Sequence, residues 1–344
     1  MRISQPFRLS NRTAAIAAAS VLAVASTAYA AAKLWRYAVD RDPQHRENRM
    51  NVIIKAPYGS VGVYGNGDPN LAAIIETKAD DEDDPPPMHY RYLTSSDYSI
   101  GTLRITLGSD DGMLQRKQEL AQGTWASNGR FTLTGAGTIQ TDGGTHYVRD
   151  VNDFYSPVPS AKSSDDYSRV FLNPTIPINL WAETGFGESV IDISGLAVVG
   201  MGIQNQASKS RIVARTQNRS VMEFCNVNAG LGECTMDGIC NYNVKTFKFT
   251  GGIGYYELNF TGTMQRDLDA NVEVGCGKVV INIPPGAARV QAFYDDNLFS
   301  SFSFSGLNKR RDGYYTSVGF DQSRAPILTL RLSTGVGKMV VSYR

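Results

Sequence analysis

GFGESVIDI (185–193), GLGECTMDG (230–238), GIGYYELNF (252–260), GCGKVVINI (275–283) and GVGKMVVSY (335–343) share one grammar. Each opens with Gly-x-Gly and runs on as an alternating strand. Successive starts lie 45, 22, 23 and 60 residues apart. The first interval is two periods of about 22 residues, and the last requires an insertion between Pro284 and Gly335. Counted from the second glycine, position four holds Ile191, Met236, Leu258, Ile281 and Val341. Position six holds Ile193, Gly238, Phe260, Ile283 and Tyr343. Position five is polar throughout: Asp192, Asp237, Asn259, Asn282 and Ser342. Alternate side chains of a strand point to opposite faces, so positions four and six face a core and position five faces water.

A strand repeat of this length predicts an all-β fold, a β-solenoid of about 22-residue coils stacked about 4.8 Å apart. One coil cannot bury both sides of its inward residues, so several must stack. Its corners need backbone freedom. Gly185, Gly187, Gly230, Gly232, Gly252, Gly254, Gly275, Gly277, Gly335 and Gly337 are read as structural turn residues. GCGK also resembles the end of a phosphate-binding loop. That motif needs glycine at 272 and Ser or Thr at 279, where Val272 and Val279 stand, and a helix should follow. A nucleotide site is therefore not expected. The other Gly-x-Gly segments also lead into strands, against a dinucleotide fingerprint.

NPTIPINLWAETGFGESVIDISGLAV, GGIGYYELNFTG and GCGKVVINIPPG resemble the toast-rack-like β-solenoid domains of bacterial envelope proteins. That group includes domains named putative adhesins and the C-terminal domain of Lia-type cell-wall-stress regulators. The resemblance covers roughly 175–344, and the strands of 51–108 more loosely. It implies a scaffold or sensor and supplies no catalytic residues. The membrane-regulator members carry a bundle of transmembrane helices that this sequence lacks, so their signalling role is not simply inherited.

Outside the repeat, residues 1–30 read as an export signal. Arg2, Arg8 and Arg12 precede an apolar, small-residue run, and Ala28-Tyr29-Ala30 fits a cleavage site. Uncleaved, the segment would be an anchor helix, the one route to a membrane. Residues 31–50 read as a charged tether, 51–174 as an N-terminal β region, and 175–344 as the solenoid domain. Asp80–Pro87 is expected to be a solvated linker and Met113–Gln122 a helix. The formal charge is +1, and about −2 without the three leader arginines, which gives no footprint for nucleic acid.

Export makes Cys225, Cys234, Cys240 and Cys276 candidates for disulfides. Cys225–Cys234 with Cys240–Cys276 is the connectivity that an idealised coil permits, with free buried thiols as the alternative. His45, His89 and His146 lack metal spacing, and no catalytic residue, metal or cofactor is expected. Asp192 and Asp237 lie two coils, about 10 Å, apart, near the upper limit for an inverting carboxylate pair. Residues 293–320 combine aromatics with a basic turn. Phe299, Phe302, Phe304, Lys309, Arg310, Arg311, Tyr314 and Tyr315 form either a hairpin closing the solenoid or a docking patch.

The expected function is a non-enzymatic exported envelope protein: a scaffold, adhesion or partner-binding solenoid in the periplasm or at the cell surface. The partner would be an envelope protein or a glycan, with self-association through the solenoid ends. A carbohydrate-binding or carbohydrate-cleaving solenoid and a regulator of envelope stress are the alternatives.

Overall fold

The computed structural model describes residues 33–41, 47–79, 88–107, 131–134, 138–141, 144–150, 167–295 and 297–344. The expected leader, the acidic linker and the helix candidate lie outside them. The described chain is all-β. Its strands are β1 (Lys33–Asp40), β2 (Arg49–Tyr58), β3 (Ser60–Tyr64), β4 (Leu71–Ala79), β5 (Met88–Thr94), β6 (Ile100–Leu107), β7 (Phe131–Thr134), β8 (Thr138–Thr141), β9 (Gly144–Asp150) and β10 (Tyr167–Leu172). They continue with β11 (Pro177–Asp192), β12 (Ala197–Val213), β13 (Met222–Asp237), β14 (Val244–Asn259), β15 (Leu268–Ile283), β16 (Arg289–Tyr294), β17 (Ser300–Ser305), β18 (Leu307–Arg311), β19 (Tyr314–Ser317) and β20 (Ile327–Tyr343). One short 3₁₀ turn, Ile239–Tyr242, connects β13 to β14.

Each repeat strand is 16 or 17 residues long and has two arms. The arms meet at the corner, which is Gly-x-Gly in every repeat strand but β12, and face each other across an apolar interior. Phe249 on the first arm of β14 touches Tyr256 on its second arm, ring centroids 5.2 Å apart. Strands β11, β12, β13, β14, β15 and β20 pair in parallel, in that order. Equivalent residues therefore stack. Leu180, Met201, Cys225, Phe247, Ala270 and Leu330 form one inward column, Ile191, Ile212, Met236, Leu258, Ile281 and Val341 the opposite one. All twelve are buried. Small Cys225 and Ala270 flank large Phe247, which keeps the interior filled along the axis. Each bent strand gives one arm to each of two ladders that meet at the corner, so the architecture is a stack of coils.

The stack is longer than the glycine pattern indicates. The first interval of 45 residues contains β12, whose corner is Gln206-Ala207-Ser208. There Asn205 Nδ2 donates to Ser210 Oγ at 2.8 Å, a side-chain staple across a corner without glycine. Thr184 Oγ1 donates to Asn205 Oδ1 at 2.6 Å and completes the buried network. A further coil precedes residue 175: β2 pairs with the first arm of β11 and β3 with the second. Its corner is Pro57-Tyr58-Gly59, with Gly59 at φ 86°. The solenoid thus extends into the region read as a looser N-terminal part. Strand β6 adds beside β2, and β10 beside β3. Strand β1, in the stretch read as a tether, pairs with β4 along its length because Trp35, Tyr37 and Val39 supply strand-forming side chains.

At the other end the 60-residue interval has a topological cause. After β15 the chain skips one position and builds β16 and β17. It then returns so that β20 fills the gap. The first arm of β20 pairs with β15 and β16, and its second arm with β15 and β17. Strands β18 and β19 form the expected hairpin through Asp312-Gly313, and β19 extends the sheet beyond β16.

All four cysteines are free, which corrects the expected bridges. Cys225 and Cys234 are buried on opposite arms of one coil. Cys240 lies in the connecting turn beyond the second arm, where its Sγ donates to Phe260 O at 3.0 Å. Cys276 sits at a corner, between Gly275 and Gly277. A whole second arm, about 25 Å of strand, separates those two positions, far beyond disulfide reach.

Candidate functional site

The middle residue of each corner turns outward. Across the rungs these residues pair in register: Tyr58, Phe186, Ala207, Leu231, Ile253, Cys276 and Val336. Phe299 continues the row, since Gly337 N donates to Phe299 O at 3.0 Å and Ser300 pairs with Gly337. The result is a ridge of eight side chains along the shared edge of the two sheets. The six large ones are 50% to 71% exposed. Tyr58 and Phe186 stack with centroids 5.9 Å apart. At about 4.8 Å per rung, the ridge is about 34 Å long.

Glycines on either side expose five of these residues: Phe186, Leu231, Ile253, Cys276 and Val336. A Cβ added at Gly277 would lie 2.0 Å from Gly254 O, and one at Gly337 2.0 Å from Gly277 O. At the Gly-x-Gly corners the backbones therefore approach closely and only the middle side chain is lifted into solvent, whereas at the β12 corner Gln206 is exposed as well. Beside the ridge, on the second-arm side, runs an exposed row of Glu188, Lys209, Glu233, Tyr255, Lys278 and Lys338. Lys209 Nζ reaches Glu233 at 3.8 Å, and Lys278 Nζ sits 5.4 Å from the Tyr255 ring centroid. The row is acidic towards β11 and basic towards β20.

The residues chosen from sequence as a docking patch are divided by the fold. Phe302, Phe304 and Tyr315 gather around Tyr294, and Phe304 stacks on Tyr315 at 4.0 Å. This cluster packs against the end of the core. Tyr314 stacks on Phe293 at 4.7 Å, with Arg311 over its ring. Lys309 binds Asp312 at 2.6 Å, which raises the ammonium pKa and lowers that of the carboxyl. Arg310 bonds Thr316 and Asp321. Most of the patch thus closes the solenoid end, and Phe299 belongs to the ridge.

The acidic pair considered for glycan chemistry is committed to structure. Asp192 is bound by Arg215, and Asp237 by Arg211 at 2.8 Å. Asn259 Nδ2 donates to Asp237 Oδ1 and Asn282 Nδ2 to Asn259 Oδ1, each at 2.8 Å. The polar column is a ladder that ties coil to coil. Among the described residues no group of three or more His, Cys, Asp or Glu side chains has the arrangement of a metal site. Burial pushes the Cys234 thiol up to about 11 and that of Cys240 up to about 12, and raises that of Cys225 further, helped by Cys234. Buried thiols of this kind are poor nucleophiles.

Fold and surface together define a β-solenoid with an exposed apolar corner. A comparison with family models gives no match, and neither does one with curated proteins. Two solved structures are similar. One is described as a putative cell adhesion protein from Clostridium sporogenes, 12% identical, with a TM-score of 0.40 over 91% of this chain and 100% of that one. The other is a putative adhesin from Bacteroides fragilis, 11% identical, with a TM-score of 0.34 over 90% and 96%. Likeness at this level does not transfer function.

Proposed function

We propose that this protein is a non-enzymatic, exported envelope scaffold that binds a protein partner along its corner ridge. The observation that carries the reading is the row from Tyr58 to Phe299, apolar at every rung and exposed at its large side chains. Large contiguous apolar surface on a soluble fold marks an interaction site. The rigid ladder beneath it lowers the ordering cost of binding. Export rests on the charged, then apolar, Ala-Tyr-Ala-ending leader of residues 1–30. Adhesion and envelope-stress regulation, both implied by the toast-rack resemblance, are special cases of the same surface binding.

The test is site-specific photocrosslinking in intact cells, with cell fractionation. A photoreactive residue at Ile253 is expected to give a discrete adduct in the envelope fraction. The same residue at Asn226, exposed on the first arm, is expected to give none. Equal adducts at both positions, or recovery of the protein in the cytosol, would refute the proposal.

A further inference from the structure

We propose that the ridge binds a second copy of this chain, running antiparallel to the first about a two-fold axis between β13 and β14. The inference rests on the reading of the ridge as a docking surface and names its occupant. Three observations point to self-association.

The first is area. With roughly 200 Å² for a large side chain, the exposed fractions of Tyr58, Phe186, Leu231, Ile253, Val336 and Phe299 leave about 650 Å² of apolar surface. A stable interface covers about 800 Å² on each partner, so the ridge with its flanking row is the right size for one side.

The second is shape. A two-fold interface must be self-complementary. A straight ladder with even spacing meets its own reversed copy rung for rung. With the axis between Leu231 and Ile253, those two residues face each other across it. Phe186 then meets Val336, and Tyr58 meets Phe299, so an aromatic ring always faces an apolar side chain. Ala207 meets Cys276, the two small members of the row.

The third is charge. The same rotation sets each second-arm flank against its own copy in reverse. Glu188 then faces Lys338, and Glu233 faces the Tyr255 hydroxyl. Lys209 and Lys278 meet, but each is already engaged, by Glu233 and by the Tyr255 ring respectively. A parallel arrangement sets the second-arm flank against the first-arm flank, with Glu188 opposite Glu183 and Lys278 opposite Glu273, two carboxylates already held by Lys55 and Lys248 of their own chain. What the antiparallel pair adds is the contact of Glu188 with Lys338, which the parallel one cannot make, and this favours it.

The experiment uses the full chain in analytical ultracentrifugation with paired variants. Wild type is expected to sediment as a dimer at micromolar concentration. Leu231→Glu and Ile253→Lys, each at an exposed site, are each expected to weaken association at least a hundredfold while circular dichroism stays unchanged. Mixed together they are expected to dimerise again, because each new carboxylate faces a new ammonium only in the antiparallel arrangement. Oxidised Ala207→Cys is expected to form a covalent dimer through Cys276. A wild type that stays monomeric at 100 μM overturns the proposal. If it is monomeric while Ile253 still photocrosslinks another envelope protein, the docking surface stands and the second copy is wrong. If association survives both substitutions, or the mixture fails to recover it, the ridge pairing is wrong.

Discussion

Replacing Gly277 by alanine tests the central claim about the corners. Its φ of 135° lies where L-residues are strained, at a cost of about 1–3 kcal/mol. The new Cβ would also stand 2.0 Å from Gly254 O and 3.0 Å from Gly254 N. Relieving that contact means moving one corner away from the next by about 1 Å, which weakens the ladder at this point, each lost bond costing roughly 1 kcal/mol. Together these give an expected loss of about 3–4 kcal/mol. Gly286 is the matched control: φ is 83° and an added Cβ has nothing within 4 Å. Only the left-handed cost of about 1–2 kcal/mol applies there. Urea denaturation monitored by circular dichroism measures both. A stacked-coil protein can unfold in parts, so amide hydrogen exchange at residues 274–279 and 252–256 provides the local reading. Protection there is expected to fall in Gly277→Ala and to persist in Gly286→Ala. Equal destabilisation by the two substitutions would refute the close-approach argument.

Four other outcomes follow from the packing and the thiols. Phe247→Ala removes a buried ring between Cys225 and Ala270 and is expected to cost about 3–5 kcal/mol in urea denaturation. Iodoacetamide is expected to label Cys276 alone in the native protein, with Cys225, Cys234 and Cys240 reacting only in denaturant, as peptide mapping will show. Those three thiols have raised pKa values in the fold. Their contribution is fully present below the ordinary thiol pKa near 8.5 and is lost as pH rises from there towards the folded values. The slope is up to about 1.4 kcal/mol per pH unit for each thiol. Denaturation midpoints measured from pH 8 to 10 should fall in wild type and fall less in Cys225→Ala. Deleting Ile327–Tyr343 is expected to expose β16 and β17 to limited proteolysis while the β11–β14 coils stay resistant, since β20 is the link between the two groups.

Much of the architecture was legible in the glycine columns and in the alternation behind them. Position four is buried throughout, from Ile191 to Val341, and position six in every coil but the last, where Tyr343 is half-buried; at position five, expected to face water, Asp192 is buried under its bond to Arg215. The parts that escaped have physical reasons. Strand β12 turns with Asn205 and Ser210 in place of glycine, and its own Gly200-Met201-Gly202 lies in the first arm, away from the corner, so the motif does not mark its bend. The β2–β3 coil turns with Pro57-Tyr58-Gly59, a different local solution to the same bend. The skip that places β20 between β15 and β17 is a non-local choice, and only the odd interval of 60 residues hints at it. The ridge was visible in principle. Phe186, Leu231, Ile253, Cys276 and Val336 are all apolar at positions where a corner exposes its side chain. The glycines around them mark the backbone turn and not the side chain it exposes, and the strongest aromatic signal lies in the hairpin, which the structure uses largely as a plug.

The insertion of β20 also bears on how the molecule carries force. In a simple stack the terminal coil has one neighbour and can be peeled away hydrogen bond by hydrogen bond. Here, tension applied at Arg344 along the strand must slide β20 past β15 on one side and past β16 and β17 on the other. Two ladders are loaded in shear together, and neither can unzip before the other yields. The strand behaves as a bolt through the end of the stack, holding the outermost coil to the body under a pull that would strip an ordinary solenoid from its tip.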